Sequence, residues 1–511
     1  MNVFSLFENA VAAWGDRTAV RSGAQRQTYC ELDAAAAAFA EHLASLGLAP
    51  GDRVAVFMQN GLLYPAVLMG AFRGGYVAVP INAKLHPREV GYIVENAAAK
   101  ALIVDSDALE GVAAAAPSLR SEDFIVAGTS SAPGNLDALL RRKTANPDPP
   151  AECNPSDPAW LFYTSGTTGR PKGAMLSHRN LIAMAVNCLA DICAFGPNDR
   201  LLHAAPLSHG SGMYLIPALS RGAENIIDAG GAFDPDRILG FVAQERVTVL
   251  PFLAPTMIVR LLEADPTIRT PELRAIVYGG APIHLEHLRA ALRRFGPVLT
   301  QLYGQGESPM TISYLPASAH KDADDETLRS AGFVRSGVEV GILDGTACPL
   351  PRGETGEIAV RGDVVMEGYW RNEAANAASF VGGWLRTGDI GRFDARGRLH
   401  VLDRRHDMII SGGSDIYPRE VEDVLIQHPA VKEAIVFGVP DAEWGENVVA
   451  AVVAREDYAD LDAETLIAFC RDHLASFKKP KRIEFLAELP KNAYGKVLRR
   501  TLRDRLESQW S

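Results

Sequence analysis

The sequence predicts an α/β protein: a large N-terminal body of parallel sheets flanked by helices, a small β-rich subdomain within it, and a small α+β C-terminal lobe. Three observations carry this. Short apolar runs of strand length alternate with helix-length segments over the first third. From about residue 340 the pattern changes to short segments punctuated by glycine. After Asp403-Arg404-Arg405-His406 the alternation resumes and ends in a basic stretch.

The elements follow in order. Thr28-Tyr29-Cys30-Glu31 has capping-box spacing and opens an alanine-rich helix that Gly47 can end. Val54–Phe57 reads as a buried strand, residues 61–72 as a helix and Tyr76–Val79 as a strand. Pro87 suits the first position of a helix, and Ala101–Val104 is another strand. Strands separated by helices of this length call for parallel sheets covered on both faces. The pattern recurs at 201–262 and 275–302. Residues 130–158 form a connector rich in Pro, Asn, Asp and Ser. Gly353, Gly356, Gly362, Gly368, Gly382-Gly383 and Gly397 mark the β-rich subdomain, about 340–403. A helix at 418–427 and strands at 434–438 and 448–453 follow. The organisation expected is therefore an N-terminal domain, 1–403, and a C-terminal lobe, 404–511.

Composition excludes several classes. The 511 residues are 47% apolar and 22% charged, enough to bury a large core without covalent staples. A net charge of −11 argues against a protein held to nucleic acid by a basic surface. The charge is uneven, however: residues 471–511 are strongly basic, which suits either a solvated helix face or a phosphate-bearing ligand. The six cysteines lack any C-x-x-C pair, which excludes a disulfide framework or structural zinc site and fits a reducing cytoplasm. The first residues lack the charge and apolar core of a signal peptide. The apolar run Met58–Phe72, broken by Asn60, Gly61 and Pro65, falls short of the roughly 20 residues a spanning helix needs. A cytoplasmic location is the expectation.

Five segments carry chemistry. Tyr163-Thr164-Ser165-Gly166-Thr167-Thr168-Gly169-Arg170-Pro171-Lys172-Gly173 follows an apolar strand. Its glycines let backbone N–H groups approach a ligand, and its hydroxyls and Lys172 add donors, so the loop suits phosphate oxygens. It lacks the G-K-[S/T] close of a Walker loop. Gln301-Leu302-Tyr303-Gly304-Gln305-Gly306-Glu307 is expected just past a strand ending near 302, where parallel sheets bind ligands. Tyr303 offers a stacking face and Glu307 a hard carboxylate for Mg²⁺. Thr387-Gly388-Asp389, expected on a tight turn, offers a carboxylate to a ribose. Asp407–Gly413 and Pro490–Lys496 complete the set.

Together these segments resemble those of the adenylate-forming enzymes: acyl- and aryl-CoA synthetases, luciferases and peptide-synthetase adenylation domains. The resemblance runs from about residue 5 to 505 and is most like a bacterial-type fatty-acid–CoA ligase. It implies that residues 164–173 hold the β- and γ-phosphates of ATP. It implies that Gly279, Gly280, Ala281 and Tyr303 form the adenine site, that Gly304 also belongs to the cofactor site, that Asp389 binds the ribose, and that Arg404 contacts ribose and phosphate. Glu307 becomes the Mg²⁺ ligand, His209 the histidine bordering the acyl pocket, and Lys496 the lysine bridging substrate carboxylate and α-phosphate. Gly412, Gly413, Trp444, Phe477, Lys479 and Lys481 fall where such enzymes hold coenzyme A. The C-terminal lobe becomes mobile, with a hinge at 404–407 centred on His406.

The implied activity is acyl-CoA synthesis. ATP and a carboxylic acid give an acyl-adenylate and pyrophosphate, and the acyl group then passes to CoA. A fatty acid is the first expectation and an aromatic acid the second, because the pocket candidates His209, Met213, Tyr214, Gly279, Gly280, Gly304 and Met310 carry little charge. Loading of a carrier protein, or a non-catalytic adenylate sensor, are the alternatives. The implied lysine chemistry makes Lys496 a target for a protein acetyltransferase. Oligomeric state is not legible, a homodimer being one option. Gly306 stands where the family usually has Thr, and restoring the hydroxyl is expected to be harmless. His284 and His287, at i and i+3, lack a third metal ligand nearby in sequence.

Overall fold

The structure is a computed structural model that describes residues 1–128, 135–142, 147–164, 170–411, 414–441, 444–458, 461–491 and 497–506, with the backbone alone of 507–510. Ser165, Gly166, Thr167, Thr168, Gly169, Gly412, Gly413 and Lys496 lie outside the described residues. Among the described residues no helix is long and apolar enough to cross a membrane.

Two large sheets form the N-terminal body. One runs, strand by strand, through Phe333–Val334, Ser308–Leu315, Leu299–Gln305, Ala275–Gly279, Val249–Leu253, Arg200–His203, Glu224–Ile227, Thr18–Ser22 and Gln25–Thr28. The other runs through Gly368–Tyr369, Lys172–Ser177, Pro158–Thr164, Val77–Pro80, Arg53–Phe57, Ala99–Asp105 and Phe124–Ala127. Their centres are parallel: Val54 faces Ala78 on one side and Ala101 on the other. Toward one edge of each the strands become antiparallel, because Pro158–Thr164 turns back into Lys172–Ser177 and Leu299–Gln305 into Ser308–Leu315, while Phe124–Ala127 at the other edge of the second sheet is parallel to its neighbour. Both reversals occur at segments singled out for ligand chemistry.

The central strands are buried on both faces, so they read as near-continuous apolar runs. The expected capping box is present: Glu31 N donates to Thr28 Oγ1, and Thr28 N to Glu31. The helix after Thr28 spans Tyr29–Ser45, and Pro87 opens Pro87–Ala97. Fully buried Phe4, Tyr29, Phe39, Tyr64, Phe72 and Trp160 weld these helices to the sheets. Each contributes about 1.5–3 kcal/mol of burial.

A separate antiparallel sheet of Glu339–Leu343, Gly356–Arg361, Trp384–Phe393, Phe380–Val381 and Leu399–Arg404 occupies the predicted β-rich region. The last sheet is built from Ile409–Ser411, Ser414–Ile416, Val431–Asp441, Gly445–Ala454 and Arg482–Phe485, packed under the helices Pro418–Gln427 and Ala463–His473. Two expectations change. Tyr303, Gly304 and Gln305 lie inside the strand Leu299–Gln305, and only Gly306 and Glu307 form the turn. Asp389 lies inside the strand Trp384–Phe393 rather than on a tight turn, next to Gly388 at φ +71°, where the pairing with Gly356–Arg361 shifts register.

Four histidines, buried His178 and His203 and partly buried His209 and His287, are held in neutral form. Desolvation lowers His178, His203, His209 and His287 to about 4. His178 Nδ1 accepts from Val3 N, a role only the neutral ring can fill. The unfolded chain takes up these protons at about pH 6.5. It therefore binds more protons than the folded chain between about pH 6.5 and 4, and stability falls as pH drops through that window. The melting temperature should be level from about pH 7 to 8 and fall steadily from about pH 6.5 to 5. A melting temperature constant across that range would contradict the neutral assignments.

Candidate active site

The two reversals bring their strand ends together. Thr164 ends one strand, Lys172 begins the next, and the two are cross-strand partners. Opposite them stands Glu307, buried at the turn of the other hairpin. Its Oε1 accepts from Tyr369 Oη at 2.6 Å and from Thr164 Oγ1 at 3.3 Å. Burial and the neighbouring carboxylate raise the Tyr369 phenol far above its ordinary value, so it stays a donor. The Lys172 ammonium lies 5.1 Å from the centre of the same ring. Among the described residues Oε2 of Glu307 takes no hydrogen bond. A buried carboxylate with a spare oxygen beside a lysine and a hydroxyl-rich segment fits a hard divalent cation that also meets phosphate.

Asp389 anchors the other end. It is 4% exposed. Oδ2 accepts from Tyr303 Oη at 2.6 Å and from Gln305 Nε2 at 2.7 Å, and Oδ1 pairs with Arg404 Nε at 2.7 Å. Gln305 also donates to Thr387 O. Arg404 is the cross-strand neighbour of Asp389. Burial opposes its charge, but Asp389 and Tyr303 hold its guanidinium above the ordinary value. Gln305 was not singled out from the sequence. The signal was there: positions 303 and 305 share one face of a strand.

Gly279 and Gly280 follow the strand Ala275–Gly279, alongside Leu299–Gln305. A Cβ on Gly279 would stand 2.6 Å from Leu302 O, and one on Gly304 2.5 Å from Met310 N. Gly280 takes φ +84°. Both glycines of this loop are thus required by backbone geometry, and Ala281 continues it.

His209 precedes the short helix Gly210–Met213. Its Nδ1 meets Ser208 Oγ at 2.9 Å, and its ring lies edge-on to Phe162 at 5.4 Å. Desolvation lowers its pKa to about 4, so the ring is neutral at pH 7. Met213 and Tyr214 are buried. Phe252, at φ +58°, brings its ring to 2.8 Å from where a Gly210 Cβ would stand and 3.4 Å from that of Gly280. Met310, at φ +61°, has its carbonyl gripped by Arg335 Nη1 at 2.7 Å, and Arg335 is itself paired with Asp191 at 2.9 Å. Neither Phe252 nor Arg335 carried a legible signal, since backbone handedness at a non-glycine residue is not written in local sequence.

In the C-terminal lobe Trp444 is 45% and Phe477 50% exposed. Lys481 Nζ lies 4.7 Å over the Trp444 ring. Lys479 is partly exposed between Phe477 and Lys481. At 404–407, Arg405–Asp407 turn away from the strand, and Arg499 holds the turn by pairing with Asp407 at 2.8 Å and Asp403 at 3.5 Å. His406 is half exposed, its Nε2 3.8 Å from Asp407 Oδ1.

A profile of the AMP-binding enzymes matches residues 7–370, and one of the AMP-binding enzyme C-terminal domain matches 420–496. The chain belongs to the AMP-binding enzyme family. A feruloyl-CoA synthase from Amycolatopsis sp is 39% identical over 96% of both chains. A long-chain-fatty-acid–CoA ligase, FadD13, from Mycobacterium tuberculosis is 32% identical over 94% of this chain and 93% of its own. ATP-bound MatB from Rhodopseudomonas palustris superposes with a TM-score of 0.89 at 31% identity over the whole of both chains. This AMP-binding enzyme is an AMP-forming acid–thiol ligase, of a family that uses ATP, coenzyme A and typically Mg²⁺.

The expectation for Gly306 is corrected. In this AMP-binding enzyme a Cβ there would stand 2.5 Å from Phe162 Cδ1 and 2.6 Å from Thr164 Cγ2. The space that a threonine would fill is taken by Phe162, whose ring leans on His209, so glycine at 306 and phenylalanine at 162 go together. Overpacking of this kind costs about 1–3 kcal/mol, so Gly306→Thr should lower pyrophosphate release about tenfold, and unchanged activity would contradict the packing. Gln305→Met removes one of three partners of Asp389. It should raise the KM for ATP several-fold, about 1–2 kcal/mol for one lost bond to a charged group, and leave the KM for the acid unchanged. Equal rises in both would deny that Gln305 acts through Asp389.

Proposed function

We propose that the chain is an acyl-CoA synthetase for a compact, mostly apolar monocarboxylic acid, with aromatic acids ahead of fatty acids. The observation that carries this is the Phe252 ring set between Gly210 and Gly280. It narrows the region beside His209 and favours a flat ring over a long flexible chain. The likeness to a feruloyl-CoA synthase supports the same reading. The likeness to FadD13 favours the second reading, a fatty acid.

Carboxylates are poor electrophiles for thiols, so the acid must first be activated. Its oxygen attacks the α-phosphorus of ATP and the bond to pyrophosphate breaks. Charge spreads over phosphoryl oxygens, and fixed cations and N–H donors stabilise it. In this reading Lys172, Thr164 and the 165–169 segment hold the β- and γ-phosphates. Gly279, Gly280, Ala281, Tyr303 and Gly304 hold the adenine, and Asp389 and Arg404 the ribose. Glu307 would hold Mg²⁺, which supplies charge neutralisation on the phosphates. Lys496 bridges the carboxylate and the α-phosphate. His209 shapes the acyl pocket as a neutral ring. The CoA thiolate then attacks the acyl carbon and AMP leaves. Trp444, Phe477, Lys479 and Lys481, with Gly412 and Gly413, offer an aromatic and cationic surface to the polyanionic CoA. The domains divide at 403/404, and 404–407 is the pivot between half-reactions.

Pyrophosphate release across aromatic and aliphatic acids, with and without CoA, tests the reading. Release with substituted benzoic or cinnamic acids, followed by thioester formation, is the expected result. Release only with long-chain acids would reverse the order of the two readings, and release with none would refute adenylation. Lys496→Ala should reduce adenylation by about 100-fold or more, the scale for loss of a transition-state contact to developing charge, and largely spare thioester formation from pre-made adenylate. Parallel loss of both steps would deny Lys496 its role in the first alone.

A further inference from the structure

We propose that His284, Arg329 and Asp423 form a latch that orients the C-terminal lobe for the first half-reaction and couples that orientation to the nucleotide loop. The proposal rests on the adenylate-forming reading. Asp423 belongs to the helix Pro418–Gln427 of the C-terminal lobe. Its two partners belong to the N-terminal body. His284 Nδ1 meets Asp423 Oδ1 at 2.8 Å, and Arg329 Nη1 meets Asp423 Oδ2 at 2.8 Å. Each carboxylate oxygen is thus used by a different element of the body: His284 at the start of the helix Leu285–Phe295, Arg329 at the end of Asp325–Arg329.

The position of His284 supplies the coupling. It follows Gly279-Gly280-Ala281 through only Pro282 and Ile283. A nucleotide that fixes this loop therefore fixes the start of the helix that presents His284. The carboxylate is largely buried between the lobes, where an unpaired charge is costly, so the lobe prefers the one orientation that gives Asp423 both partners. Burial works against the charge of Asp423, yet the His284 hydrogen bond and the charges of Arg419, His284 and Arg329 hold its carboxyl below the ordinary range. The arrangement bearing the latch superposes on ATP-bound MatB with a TM-score of 0.89 and on apo MatB with 0.78, at 31% identity in both. Identity and coverage are the same in the two comparisons, and the scores differ. The latched arrangement is the one nearer to the ATP-bound form.

These are positioning residues, acting through the lobe rather than on the reacting atoms. Their test uses the full chain, with Asp423→Asn, Arg329→Ala and the conservative Arg329→Lys. Pyrophosphate release and thioester formation from pre-made acyl-adenylate are measured separately. Trypsin cleavage after Arg404 and Arg405 is followed with and without ATP, an arm that needs no acid substrate. Loss of the latch should slow the first step about tenfold, leave the second unchanged or faster, and abolish ATP protection of the 404–405 bonds, with Arg329→Lys keeping most of each. Equal slowing of both steps, or unaltered ATP protection, would overturn the latch. Should the unmodified protein adenylate no acid, the functional reading fails while the proteolysis arm still judges the latch. The charge exchange Asp423→Arg with Arg329→Asp separates lost pairing from lost folding: partial recovery of ATP protection is expected, and a folded double variant with none would count against the pair.

Discussion

Asp389 brings a negative charge to a position almost sealed from water, and the site is arranged around keeping it there. A buried carboxylate is tolerated only when its oxygens are answered by donors or cations. Three side chains do so: Tyr303 and Gln305 from one strand of the large mixed sheet, and Arg404 from the last strand before the C-terminal lobe. One carboxylate therefore ties the nine-stranded sheet, the β-rich subdomain and the start of the lobe into one frame. A ligand hydroxyl at Asp389 would have to share or replace these bonds.

The opposite end follows the same logic. Glu307 is buried, answered by Tyr369 and Thr164, and faces the strand ends that flank the hydroxyl-rich segment. Between the two acids run Tyr303, Gly304 and Gln305, whose close backbone approach to Met310 forbids a side chain at 304. The lobe boundary is managed by cations on acids. Arg499 reaches Asp403, Asp407 and Glu422 from the final helix, so the turn at 404–407 is held from the lobe side. The turn between the lobes is short and its anchors are few. Reorientation there would exchange a small set of ion pairs rather than unpack a core.

Neutral histidine is a recurring device. His203 is clasped by Ser211 and Asn225 beneath the segment that carries His209, and both rings are kept uncharged by burial.

The alternation of apolar strands and helices, the capping box at Thr28, the glycine-rich subdomain and the five chemical segments were all legible in local sequence. They are short-range properties: a cap, a period or a hydroxyl-glycine run needs only its neighbours in the chain. Asp389, Glu307, Tyr303 and Arg404 were legible because their segments are compact and distinctive. Tyr369, Phe252 and the Arg335–Asp191 pair were not, because each acts across elements far apart in sequence, while Gln305 could have been read from the strand face it shares with Tyr303. The role of Gly306 was misread for the same reason: the group that fills its space, Phe162, lies on another sheet. The pairing of Asp423 with His284 and Arg329 belongs to the same class. By itself the sequence determined which elements form and which residue types suit a phosphate or a ribose. Only the tertiary structure decided which buried charges share a partner, which glycines have no room for a side chain, and which lobe surface closes on the body, because burial and long-range pairing exist only once the sheets have packed.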